Sequence, residues 1–120
     1  MSRLSGLRVK IFADGANLEE MAAWARRPEI RGFTTNPTLM RQAGVSDYET
    51  FARDALRAIP DRPMSFEVFS DDFDDMERQA RRIASWGENV YVKIPITNTE
   101  ARPSKPLVYR LSRSGVKVNV

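Results

Sequence analysis

Two residue types are missing altogether from this 120-residue chain, cysteine and histidine. Without cysteine there can be neither a disulfide nor a thiolate zinc site. Without histidine there is no Ser-His or Cys-His nucleophile pair and no imidazole metal site, so acid–base chemistry falls to Asp, Glu, Lys or Tyr. Long apolar runs are also lacking, and none approaches the roughly 20 residues that a membrane span requires. The first residues, Met1-Ser2-Arg3-Leu4-Ser5-Gly6, carry no apolar block of the kind found in secretory signals. A protein of the reducing cytoplasm with no membrane partner is therefore expected.

Acids are missing from one region. Through Glu100 there are 14 Lys and Arg against 16 Asp and Glu, whereas Arg102, Lys105, Arg110, Arg113 and Lys117 follow with no acid among them. The formal net charge of +3 is thus a property of the tail. One solvated helix face accounts for such a tail. With no nucleic-acid motif and no interleaved aromatics, no nucleic-acid partner is expected.

What is present is an alternation of strand-like and helix-like segments. Val9 to Gly15 reads as a strand, followed by a helix capped by Asn17 with Leu18, Met21, Ala22 and Ala25 at helical spacing. A second strand spans about Ile30 to Thr35, and Thr38 to Gln42 forms a short helix closed by Gly44. Ser46 caps the next helix, whose stripe is Tyr48, Phe51, Ala52, Ala55, Leu56 and Ile59. Met64 to Phe69 is a third strand. A helix then opens on Asp71 and Asp72 and buries Phe73, Met76, Ala80 and Ile83. Asn89 to Thr97 is a fourth strand, Pro106 to Ser112 a helix, and Val116 to Val120 begins a fifth strand.

This rhythm specifies parallel βαβ units in a single domain, residues 1–120. Both an open doubly wound sheet and a (β/α)8 barrel follow the pattern. Asp14-Gly15-Ala16-Asn17 stands where a Gly-rich phosphate loop would follow the first strand, which weakens a dinucleotide-binding reading. A barrel needs eight strands and upwards of about 200 residues, of which this chain supplies five strands.

The organising stretch is Asn89-Val90-Tyr91-Val92-Lys93-Ile94-Pro95-Ile96-Thr97. Apolar residues of both parities predict a parallel strand covered on both faces. Into it the sequence places one cation, Lys93, near the carboxyl end, where α/β folds keep their active sites. Burying an unpaired ammonium is costly, and a lysine so placed is driven towards the neutral amine, a nucleophile for carbonyls. An edge-strand lysine whose head reaches water is the other reading.

Polar residues stand near the end of every strand: Asp14, Thr34 and Asn36, Glu67, Lys93 and Thr97, and Asn119. Residues an even number apart share a face of an extended chain, which pairs Thr34 with Asn36 and Lys93 with Thr97. Asp14 and Asn36 could merely cap turns, and Glu67 could be a paired structural carboxylate. A strand interior is nonetheless the rarest place for a lone charge, and here Glu67 and Lys93 fall on consecutive strands.

The segments Ile11-Phe12-Ala13-Asp14, Phe33-Thr34-Thr35-Asn36-Pro37-Thr38, Phe66-Glu67-Val68, Val92-Lys93-Ile94-Pro95 and Val116-Lys117-Val118-Asn119-Val120 resemble the transaldolase family, in that family's order and spacing. The resemblance implies an α/β fold of TIM-barrel type, a parallel (β/α) barrel of which this chain is the N-terminal portion. It implies a class I, Schiff-base enzyme that moves a dihydroxyacetone unit between sugar phosphates without metal or cofactor. Lys93 would form the imine, Glu67 would manage the water for its proton transfers, and Asp14 would deprotonate the sugar hydroxyl. Asn36, Thr34 and Asn119 would bind the hydroxyls of the three-carbon unit, with Thr97 added by its shared parity with Lys93.

The related fructose-6-phosphate aldolases typically carry glutamine where this chain has Glu67, which favours transfer over simple cleavage. Similar proteins continue through three further strands and supply there the arginines that grip phosphate. The expectation that follows is a chain without turnover of its own, pairing with another copy or with the missing half of the barrel. A non-catalytic half-barrel serving as an assembly or binding module is the alternative.

Overall fold

The computed structural model describes residues 6–120; the reading of Met1 to Ser5 as free of an apolar leader lies outside them. Among the described residues five strands are separated by five helices, two of them between the second strand and the third, in an α/β arrangement. The chain divides into two compact units, one ending at Met64 and the other beginning at Ser65.

In the first unit, β1 (Ile11–Asp14) pairs in parallel with β2 (Ile30–Thr34), with Asp14 opposite Thr34. Gly32 lies opposite Phe12, and a side chain there would meet the Phe12 ring at 2.5 Å, so the glycine is what lets the ring lie across the neighbouring strand. Between these strands, α1 (Leu18–Ala25) starts where the Asn17 side chain accepts from the Glu20 N–H, with Glu19 and Glu20 in the favourable first turn. Asn36 caps α2 (Pro37–Gln42) by accepting from the Leu39 N–H, and Gly44 follows at φ 78°, a left-handed conformation that suits glycine.

The helix α3 (Tyr48–Ala58) is capped by Asp47, which accepts from the Thr50 N–H. This corrects the expectation that Ser46 caps it: the helix starts one residue later, with the Asp47 carboxylate on the Thr50 amide. Its stripe is as expected from Phe51 onward, with Phe51, Ala52, Ala55, Leu56 and Ile59 buried, whereas Tyr48 at its start is half-buried.

In the second unit, β4 (Val90–Lys93) pairs in parallel with β5 (Val118–Asn119), with Val92 opposite Val118 and Lys93 opposite Asn119. The boundary falls inside β3 (Met64–Glu67), and just past that strand the Val68 N–H donates to the Lys93 carbonyl at 3.2 Å. The helix α4 (Phe73–Ala84) buries Met76, Ala80 and Ile83, while Phe73, expected with them, is half-buried at its start, and the helix is capped by Asp72 alone, Asp71 being engaged elsewhere. The helix α5 (Lys105–Arg113) buries Leu107 and Leu111. Phe66 is fully buried and meets Trp86 edge-on, ring centroids 5.9 Å apart.

Two expectations about the fourth strand fail. It ends at Lys93, and its burial alternates: Val90 and Val92 are buried, whereas Tyr91 and Lys93 are half-buried. Ile96, assigned to the buried run, is 73% exposed. Pro95 cannot donate to a ladder. Beyond it the chain turns out to an isolated bridge between Thr97 and Pro103, so Thr97 does not share a strand face with Lys93. No helix among the described residues is long and apolar enough to cross a membrane.

Candidate active site

The polar ends of the strands are built separately in the two units. In the first, the β1–β2 register sets Asp14 beside Thr34, and the Thr34 hydroxyl donates to Asp14 Oδ1 at 2.7 Å. The Gly15 N–H also closes onto the Thr34 carbonyl at 3.2 Å. Asp14 is exposed and Thr34 half-buried, so a carboxylate held by one hydroxyl still faces solvent. Asn36 is extended, φ −153° and ψ 168°, and its Oδ1 accepts from the Leu39 N–H at 2.9 Å. The capping role foreseen for Asn36 is therefore real. It occupies the carbonyl end of the amide, and the Nδ2 donors take no part in the cap.

In the second unit the strands place four side chains on one face. Ser65 and Glu67 are two apart on β3 and so project to the same side. The Asn119 side chain reaches Ser65, Nδ2 donating to Oγ at 3.2 Å, which sets Asn119 on that side. Lys93 is the register partner of Asn119, and neighbours in a parallel ladder project together. Ser65 is buried, and Glu67, Lys93 and Asn119 are half-buried. The Asn119 backbone carbonyl accepts from the Ile94 N–H at 2.9 Å, which fixes the residue after the lysine.

Ser65 is a residue that sequence reading missed. Nothing local marks it, since its partner lies 54 positions away. Asp71 is a second. Expected to open α4, it instead binds Thr99, accepting from the backbone N–H at 2.8 Å and from the hydroxyl at 2.6 Å. These two bonds hold the Asp71 carboxyl below the usual carboxylate range, the hydroxyl contributing most. Thr97 stands exposed on the same loop. Among the described residues no group of three or more His, Cys, Asp or Glu is placed to hold a metal ion.

A parallel βα succession with lysine, carboxylates and amides at the carboxyl ends of its strands has the layout of a βα-barrel enzyme. Residues 11–120 match the Transaldolase/Fructose-6-phosphate aldolase family, and the chain belongs to that family. It is 37% identical over 112 residues to a probable transaldolase of Dehalococcoides mccartyi, covering 93% of this chain and 50% of that protein. Probable transaldolases of Roseiflexus castenholzii and Maridesulfovibrio salexigens are each 38% identical over the same length, covering 93% of this chain and 49% and 50% of theirs. The chain spans about half the length of the curated relatives it matches.

Proposed function

We propose that this chain serves the transfer of a dihydroxyacetone unit between sugar phosphates, through a Schiff base on Lys93. The observation that carries the reading is the register of Lys93 with Asn119, which sets an amine and an amide donor side by side on the face that also bears Glu67. The Nζ lone pair adds to the C2 carbonyl of a ketose phosphate, and the carbinolamine loses water to give the imine. Glu67 handles the water that carries protons in these steps. The Asp14 carboxylate takes the proton of the C4 hydroxyl as the C3–C4 bond breaks. The bond's electrons pass into the imine, so an enamine stays on Lys93 and an aldose phosphate leaves. An acceptor aldehyde then runs the steps in reverse, and hydrolysis frees the amine.

Thr34 orients Asp14 by the hydrogen bond it donates. Asn36 and Asn119 supply amide donors to the hydroxyls of the three-carbon unit. A carboxylate rather than an amide at Glu67 favours transfer over simple cleavage. A transfer between sugar phosphates is a reaction of carbohydrate metabolism, and a cytoplasmic location is part of the same proposal.

Borohydride reduction in the presence of dihydroxyacetone or fructose 6-phosphate, followed by peptide mapping, tests the assignment. The expected adduct is on Lys93, and Glu67→Gln should slow its formation on the order of 10²-fold. A label on Lys10, Lys105 or Lys117 with Lys93 unmodified would remove the reading.

A further inference from the structure

The loop that follows Lys93 is built around two residues. Asn98 organises it from inside: its Oδ1 accepts from the N–H groups of Glu100 and Arg102 at 3.1 and 3.0 Å. Its backbone N–H and carbonyl close onto Arg102 and Ala101 at 3.0 Å each. At the base, the Ile96 carbonyl accepts from both the N–H and the hydroxyl of buried Ser104, at 2.9 and 3.0 Å. Ala101 is held at φ 63°, a conformation that a non-glycine residue keeps only when its surroundings impose it.

Asp71 fastens this loop from outside. Both carboxylate oxygens are committed to Thr99, one to the N–H and one to the hydroxyl, and the Asp71 carbonyl lies 3.4 Å from Asn98 Nδ2. Asp71 is itself held in place, because the segment after Glu67 is pinned by Gln79 Oε1, which accepts from the N–H groups of Phe69 and Ser70. The Asp71–Thr99 contact therefore ties the segment following Glu67 to the segment following Lys93.

We infer that Asp71 is a positioning residue for the chemistry at Lys93: by binding Thr99 with both oxygens it holds the 97–103 loop still, and so fixes the exit of the strand that carries the amine. The inference rests on the proposed imine chemistry. Lys93 is the last residue of β4, and only Ile94 and Pro95 separate it from Ile96, whose carbonyl is clamped by Ser104. A loop free to swing would spread Ile96 and Thr97, both exposed, over many positions beside the amine. Reaction at a carbonyl falls steeply when the reacting groups are displaced by as little as about 1 Å.

The test measures two quantities on the 120-residue chain and its variants: amide hydrogen exchange over residues 94–104, and the rate of borohydride-trapped adduct formation on Lys93 with dihydroxyacetone. Asp71→Ala should speed exchange at Thr99 and its neighbours and slow trapping by about tenfold or more. Asp71→Asn keeps an acceptor for the Thr99 N–H and should fall between it and the unaltered chain. Thr99→Val, which keeps the N–H and loses the hydroxyl, should match Asp71→Asn and guards against a folding defect particular to residue 71. Faster exchange with an unchanged trapping rate would overturn the positioning role and leave the imine reading standing. Absence of any Lys93 adduct in the unaltered chain would overturn both. Unchanged exchange in Asp71→Ala would show that the loop does not depend on the contact, and would sink the inference by itself.

Discussion

The two units of this protein hold their polar side chains in different ways. In the first, the helix starts are closed locally: Asn17, Asn36 and Asp47 each bond the N–H three residues on. In the second, polar groups also bridge separate elements. Glu77 on α4 takes both Arg81 on its own helix and Arg110 on α5, while Arg81 reaches Ser114 beyond α5. Asp71 binds Thr99, and Asn119 binds Ser65. Local caps specify where an element begins but not what it packs against. Long-range ties fix one element against another: in the first unit Thr34 ties β2 to β1, and in the unit that carries Lys93 such ties join α4 to α5, β3 to β5 and the segment after β3 to the 97–103 loop. The imine chemistry proposed for Lys93, which needs its amine held in one geometry, would gain from that arrangement.

If the core still dominates over these ties, the largest loss in the second unit should come from an apolar truncation. Phe66→Ala removes a fully buried ring that also meets Trp86 edge-on, and should cost about 3–5 kcal/mol in urea unfolding. A loss under about 1 kcal/mol would mean that polar ties carry that unit, and would invert the comparison.

The local device of the first unit is tested next. Asn17→Ala should cost about 1 kcal/mol, and Asn17→Asp should restore most of it, since a carboxylate accepts the same N–H and faces the positive end of α1. No loss in the alanine variant would show that α1 does not depend on its cap.

A smaller effect is expected from the long-range clasp. Its groups are part-exposed, so Glu77→Gln should cost less than about 1 kcal/mol, and added salt should reduce the difference. The pH dependence has a definite sign. Hydrogen bonds from Arg81, then Arg110, lower the Glu77 carboxyl in the folded chain. Its contribution is therefore fully present above the ordinary carboxylate range and lost as pH falls through the lowered folded value. Unfolding followed from pH 7 to pH 3 should show a smaller acid-induced loss in Glu77→Gln than in the parent. Identical slopes would remove the clasp from the account.

The smallest change should follow Ala101→Gly. Relief of the left-handed backbone competes with the greater freedom of glycine in the unfolded chain, leaving a net gain of a few tenths of a kcal/mol. A clear destabilisation would mean that the Ala101 methyl makes contacts that matter more than its φ.

The amino-acid sequence by itself determined the order of elements, because each is written in nearest-neighbour chemistry. The stripe of Phe51, Ala52, Ala55 and Leu56, the Asn17 cap and the stop at Gly115 are all read within a turn or two of where they act. The carboxyl-end residues Asp14, Thr34, Glu67, Lys93 and Asn119 were legible for a related reason, since a polar side chain closing an apolar strand stands out locally. The short-range competition between Ser46 and Asp47 was not, because either of two adjacent acceptors could open the helix and only the backbone path selects one.

Tertiary structure alone decided the rest. Ile96 and Thr97 read as a continuation of the lysine strand until Pro95 and the clamp at Ser104 turn the chain away. Ser65 and Asp71 carry no local mark, and their roles come from partners 54 and 28 positions distant. Such a contact depends on the register of strands and the path of loops, which are settled by packing over the whole unit and not by the residues on either side.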